Sequence, residues 1–135
     1  LPGTYALVAD RARHRCEYCG ASEAPTNFAF PVDHIVPRSQ APNLLDDLDN
    51  LALACPSCNW HKAARTRATD PDTGETVRLF HPRHDSWADH FTWSANATLI
   101  VGRTAIGRAT VAALQMYAPA QRRARVYWVA AGIFP

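Results

Sequence analysis

Val32-Asp33-His34-Ile35-Val36-Pro37-Arg38-Ser39 decides how the chain is read, because two Cys-x-x-Cys pairs, Cys16/Cys19 and Cys55/Cys58, bracket it. All four cysteines of the chain fall in these pairs. A disulfide framework needs a secretory context, which the sequence does not show. A thioredoxin-like redox motif would account for one pair and not two. Four thiolates hold one Zn²⁺ tetrahedrally, and a two-residue spacer lets a tight knuckle aim both sulfurs at one point. Gly20 after the first pair and Pro56 inside the second suit such turns. Cys16, Cys19, Cys55 and Cys58 are therefore expected to hold a structural zinc ion, with a reducible disulfide pair as the alternative.

Ordinary zinc ribbons place their two pairs closer together than the 35 residues between Cys19 and Cys55. That excursion has room for a hairpin and a loop. Phe28 to Asp33 reads as a short strand leading into Asp33-His34, and Ile35-Val36-Pro37 as a second extended piece. Asn50 to Ala54 is a further apolar run. Pro56 to Arg67 is helical in composition, with Ala63 and Ala64 inside it and Pro56 suited to its first turn. Strand, loop, strand and helix in this order would gather Asp33, His34 and Asn59 over one cavity.

The whole pattern resembles the HNH endonuclease family, whose core is the ββα-metal (His-Me finger) motif. Its residues here are Cys16 and Cys19, then Asp33-His34-Ile35-Val36-Pro37-Arg38-Ser39, then Asn50-Leu51, then Cys55-Pro56-Ser57-Cys58-Asn59-Trp60-His61-Lys62. The resemblance implies that His34 is the general base that takes a proton from the attacking water, a task that suits an imidazole at neutral pH. It implies that Asp33 binds the catalytic metal, that Asn50 steadies the loop and orients His34, and that Asn59 stands where the third family histidine often does. In this Asn form the chain is most like the phage Holliday-junction resolvase branch of the fold. A carboxylate and an amide oxygen are hard ligands, better matched to Mg²⁺ or Mn²⁺ than to Zn²⁺. His61 is the rival ligand; positions two apart on a helix do not share a face, which favours Asn59. Single-metal phosphodiester hydrolysis giving 5′-phosphate and 3′-hydroxyl ends is the implied reaction. Lys62 and Arg38 are candidate phosphate contacts, with a solvated surface cation as the equal alternative for each.

Later segments, Asp70-Pro71-Asp72-Thr73-Gly74, Leu79-Phe80, Trp87 with His90-Phe91, and Gly107-Arg108-Ala109-Thr110, are similar to the tail of a bacterial subgroup of HNH proteins. They carry turn signals near 69–75, a strand at 76–80, a hairpin around Ala95-Asn96-Ala97, and two helices near 105–117 and 120–131. Val111, Leu114, Val126 and Val129 are expected in the buried stripes. Trp87, Phe91, Trp93 and Trp128 are expected in the core. His81, His84 and His90 lack ligand spacing and are read as surface or hydrogen-bonded residues. The fold class is thus α+β, a ββα-metal core at about 14–67 with four-cysteine zinc knuckles. An extension of short strands and two helices follows at about 68–135, and 1–135 is read as one domain.

Net charge is only +2, yet thirteen of the fourteen cations are arginines, whose planar fork suits phosphate. They recur at Arg11/Arg13/Arg15, Arg65/Arg67 and Arg122/Arg123/Arg125, the last expected on the most DNA-facing part of the tail. Asp46, Asp47 and Asp49 form an acidic patch. No apolar run approaches the roughly 18 residues of a membrane span. Leu1-Pro2-Gly3-Thr4-Tyr5 lacks the basic start of a signal peptide. DNA is the expected partner, with RNA left open, and the cytoplasm the expected place. A zinc-dependent nucleic-acid-binding module without turnover is the competing reading, and a zinc-stabilised protein-interaction domain the third.

Overall fold

The computed structural model describes residues 3–44 and 47–135. Leu1 and Pro2 of the leading segment, and Asp46 of the acidic patch, lie outside the described residues. The chain mixes helix and strand as expected. Helix α1 (Thr4–Arg11) buries Val8 and Ala9. At its end Arg11 donates to the Leu48 and Leu51 carbonyls at 2.9 and 2.6 Å, tying it to the 48–51 segment. The backbone then turns through left-handed conformations at Arg13 and His14 into the first knuckle.

Strands β1 (Val32–His34) and β2 (Leu51–Leu53) pair antiparallel, with Asp33 opposite Ala52 and His34 opposite Leu51. Side chains alternate across a strand, so Asp33 points inward while Val32 and His34 reach the other face. Strand β1 is shorter than the run from Phe28 suggests. Ile35 to Val36 is a bend and not a second extended piece. The Asn50 carbonyl and side chain capture the Ile35 and Val36 backbone there, which leaves no ladder to continue.

Helix α2 (Pro56–Lys62) starts on Cys55, whose Sγ accepts from the Cys58 N–H, with Pro56 at its first turn. It stops at Lys62, five residues before its composition predicts. Ala63 takes a positive φ of 49° and donates to the Asn59 carbonyl, a left-handed stop. Arg65 then caps the His61 carbonyl and reaches Ala113 at 2.8 Å. The chain leaves to form β3 (Arg67–Thr69), which pairs with β4 (Thr76–Arg78). Only β4 was expected.

A short helix α3 (Trp87–His90) leads into the hairpin of β5 (Phe91–Trp93) and β6 (Ile100–Gly102), which agrees with the sequence. Helices α4 (Ala105–Ala113) and α5 (Pro119–Ala130) follow. Gly107 lets α4 lie against the His90 carbonyl, where an added methyl would collide with backbone. Val111 and Leu114 are buried as expected, but Val126 is 53 % exposed and Val129 only half-buried. Helix α5 instead buries Gln121 and Arg125, one turn apart on one face. The Arg125 guanidinium is accepted by the Thr98 and Met116 carbonyls, so a charged side chain fills the place assigned to valine. Trp87, Trp93, Trp128 and Phe134 form one aromatic cluster beside Phe91.

A turn motif and a helix motif of the extension find each other. Asp70 accepts a fork from Arg108, Nε to Oδ1 at 2.9 Å and Nη2 to Oδ2 at 2.8 Å, and also the Asp72 N–H and the Thr73 hydroxyl. Thr110 of the same helix accepts from the Phe80 N–H at 2.9 Å. The Arg108 guanidinium holds the Asp70 carboxyl well below the usual carboxylate range. A depressed folded pKa contributes stability that is full above about pH 4 and lost as pH falls further. Asp70→Asn is expected to lower the melting temperature at pH 7, and the gap to wild type should shrink toward pH 2. Melts across that range test it; a gap independent of pH would mean the pair adds nothing.

Candidate functional site

The four cysteine sulfurs lie within 4.8 Å of one another, all buried. Cys19 N–H points at Cys16 Sγ at 3.5 Å and Cys58 N–H at Cys55 Sγ at 3.4 Å, the amide-to-sulfur contacts of two knuckles. Gly20 supplies the positive φ of 80° on which the first knuckle turns back, its N–H on the Cys16 carbonyl. The Cys19 and Cys55 sulfurs are 3.7 Å apart. A tetrahedron with metal–sulfur bonds of about 2.3 Å has edges of about 3.8 Å, so a zinc ion fits. Hydrogen bonds among the thiols push Cys55 far below the usual thiol range and push Cys19 and Cys58 above it. Four sulfurs this close cannot all ionise without a cation between them, and the cluster is therefore a possible zinc site.

Above it, Asp33, His34 and Asn59 line one open cleft of about 400 Å³, with Arg38 and Ser39 at its mouth. Asp33 is 5 % exposed. Its Oδ2 accepts from the Tyr18 hydroxyl at 2.7 Å, and Lys62 Nζ stands 3.2 and 3.3 Å from its two oxygens. Burial raises the Asp33 pKa, against the pull of Lys62 and Tyr18. Lys62 Nζ also donates to the His34 carbonyl at 3.2 Å, so one ammonium fixes both residues of the Asp-His pair. Asn50 works from the other side. Its Oδ1 accepts from Val36 N–H at 2.9 Å and its Nδ2 donates to the Val36 carbonyl at 3.0 Å, closing the loop that follows His34.

The helix separates the two rival ligands. Asn59 faces the cleft, and its carboxamide makes no hydrogen bond among the described residues. His61 turns away; its Nδ1 sits 2.8 Å from the Ser57 carbonyl, and its ring borders a different groove with Phe28 and Trp128. Lys62 is a correction to its expected place at the surface. It is 1 % exposed, below the cleft and not at its mouth. A lysine one turn beyond Asn59 reads as a solvated cation until the buried carboxylate 29 residues earlier is known. Arg38 is exposed at the rim, as a phosphate contact requires. Arg122 and Arg123 are exposed on α5, whereas Arg125 is buried.

Tyr18 was missed in the sequence, and the extension acts through it. The knuckle between Cys16 and Cys19 presents its hydroxyl to Asp33, while Trp87 Nε1 donates to its carbonyl at 2.8 Å. Arg83 pairs with Glu17 of the same knuckle. Glu17 in turn accepts from the Leu53 N–H at 2.8 Å. His81 and His84 stack at 3.9 Å, and His90 bonds Thr104; they gather no metal-binding group among the described residues.

A two-stranded ladder and a helix that present an Asp-His pair and an amide over one cleft, beside a four-sulfur cluster, define a ββα-metal scaffold. The model of the HNH endonuclease family matches residues 16–65, and this segment of the chain is an HNH domain. Neither curated proteins nor solved structures gave a match. Among the described residues no helix is long and apolar enough to cross a membrane.

Proposed function

We propose that the protein is a metal-dependent DNA endonuclease that hydrolyses phosphodiester bonds. The observation that carries this reading is the meeting of Asp33, His34 and Asn59 in one cleft with Arg38 at its rim. Asp33 and Asn59 would hold the Mg²⁺ or Mn²⁺ ion. Their donors are oxygens and suit a hard cation; the Asn59 amide has no other partner among the described residues, while Asp33 would share with the ion oxygens that already accept from Tyr18 and Lys62. Bound there, the ion would supply Lewis-acid stabilisation of charge on the phosphate. His34 takes the proton of the attacking water, and Lys62 and Asn50 fix its backbone so that the ring has one approach to the phosphate. Arg38 draws the phosphate to the rim. The four cysteines carry structural zinc, and reduced thiols suit a cytoplasmic setting. The bonds Trp87–Tyr18 and Arg83–Glu17 support reading 1–135 as one domain.

Zinc-loaded protein incubated with supercoiled plasmid is expected to nick or linearise it only with Mg²⁺ or Mn²⁺. His34→Ala should slow the reaction about a hundredfold or more. Full metal-dependent activity in His34→Ala would sink the mechanism. A folded wild type that binds DNA and never cuts it would point to a binding module, and RNA in a parallel arm tests the choice of nucleic acid.

A further inference from the structure

Helix α2 carries one residue whose exposure the fold does not explain. Trp60 is 80 % exposed, while the other three tryptophans, Trp87, Trp93 and Trp128, pack in the aromatic cluster of the extension. Each helical residue turns about 100° from the last. Cys58 and Lys62 therefore share the face toward the sulfurs and Asp33, and both are buried. Asn59 and Ala63 share the next face and line the cleft. Trp60 follows directly after Asn59, about 100° further round the helix, so its exposed ring stands beside the cleft-lining face without being part of the lining. Its ring makes no aromatic contact among the described residues. Arg38 at the rim is exposed, and so are Arg65 and Arg67 after the helix, whose guanidinium groups donate to the His61, Ala113 and Thr76 carbonyls. A flat, exposed apolar ring one residue from the cleft-lining Asn59 matches a nucleotide: base on the ring, phosphate in the cleft beside Arg38.

A ring can stack only on a base whose face is free, and in an intact duplex both faces of each base are covered by its neighbours. We propose that Trp60 is the base-stacking contact of the cleft and that the substrate is a DNA strand whose base next to the cut phosphate is unpaired. This rests on the nuclease reading for the position of the phosphate, not for the stacking itself. It places specificity in local strand structure and leaves base identity unread, since every base has a face to stack on.

The 135-residue, zinc-loaded protein carrying His34→Ala would be titrated with three oligonucleotides: a paired duplex, the same duplex with one bulged base, and a single strand. Trp60 fluorescence should change with the bulged and single-stranded probes and not with the duplex, and that signal should vanish in Trp60→Phe. The bulged probe is expected to bind roughly tenfold or more tightly than the paired one. Trp60→Ala should bring that ratio close to one, and Trp60→Phe should keep part of it. No preference in the parent protein, or a preference that Trp60→Ala leaves intact, overturns the proposal. So does a uniform loss on all three probes, which would make Trp60 a general contact. Melting curves matched to the parent show that the variants fold. A Trp60-dependent preference in a protein whose His34 form never cleaves would uphold the stacking and remove the nuclease reading, so the two fail separately. If the bulged probe is preferred over the single strand, branched or damaged duplex is the source; the reverse order points to free single strands.

Discussion

Stripping the metal from the four-cysteine cluster is expected to unfold the core. Structural zinc contributes on the order of 10–16 kcal/mol in small metal domains, whereas a domain's whole net stability is about 5–15 kcal/mol. The geometry says why the loss should be global. The sulfurs come from one knuckle at Cys16–Cys19 and from the cap of α2 at Cys55–Cys58, so an ion held there would be the bond between the N-terminal segment and the cleft helix. Tyr18, which holds Asp33, sits inside the first knuckle, and Lys62, which pairs with it, sits one turn along the helix from Cys58. Losing the cluster releases both. The effect should also reach α5, because Arg125 is buried with no carboxylate partner among the described residues; burial lowers its pKa, and the Cys19, Cys55 and Cys58 sulfurs offset that in part. One zinc per chain by elemental analysis, and loss of near-ultraviolet circular dichroism on chelation, are the expected results. Cys58→Ala should behave as the chelated protein does. Cooperative melting at an unchanged temperature after complete zinc removal would show that packing alone holds the core.

The cluster, the β1–β2 ladder and the place of Asn59 were legible because each rests on local chemistry. Two knuckles need only spacing. Asp33-His34 lies in a strand whose alternation must put the two residues on opposite faces. Asn59 and His61 are separated by helical rotation whatever surrounds them. What was not legible depends on distant partners. The burial of Lys62 is a property of a pair 29 residues apart, and one half of that pair was already spoken for as a metal ligand. Arg125 goes inside because two backbone carbonyls, at Thr98 and Met116, end free beside it. Strand β3 carries two exposed residues around Ala68, so no apolar pattern marks it, and only its pairing with β4 makes it a strand. The tail motifs read as a similarity without a mechanism until the Asp70–Arg108 fork joined them.

Lys62→Met separates the two readings of that lysine. A cation that neutralises substrate phosphate can be removed with little change in folding; binding then weakens and depends less on salt. A buried cation paired with Asp33 behaves differently. Removing it strands a carboxylate that is 5 % exposed, with only the Tyr18 hydroxyl left to it among the described residues, and breaking a buried pair in this way typically costs about 3–5 kcal/mol. Urea denaturation is expected to show a loss of that size in Lys62→Met. The double variant Asp33→Asn/Lys62→Met should recover much of it. A neutral amide still accepts from Tyr18, and no unpaired charge remains. Cleavage should nevertheless fail in both variants, in the first because the His34 carbonyl loses its anchor and Asp33 its orientation, in the second because the proposed metal ligand is gone. That combination, stability restored while activity stays lost, is what an ammonium used to position the Asp-His pair must give. Wild-type stability in Lys62→Met with weaker DNA binding alone would return the residue to the surface role its sequence suggests.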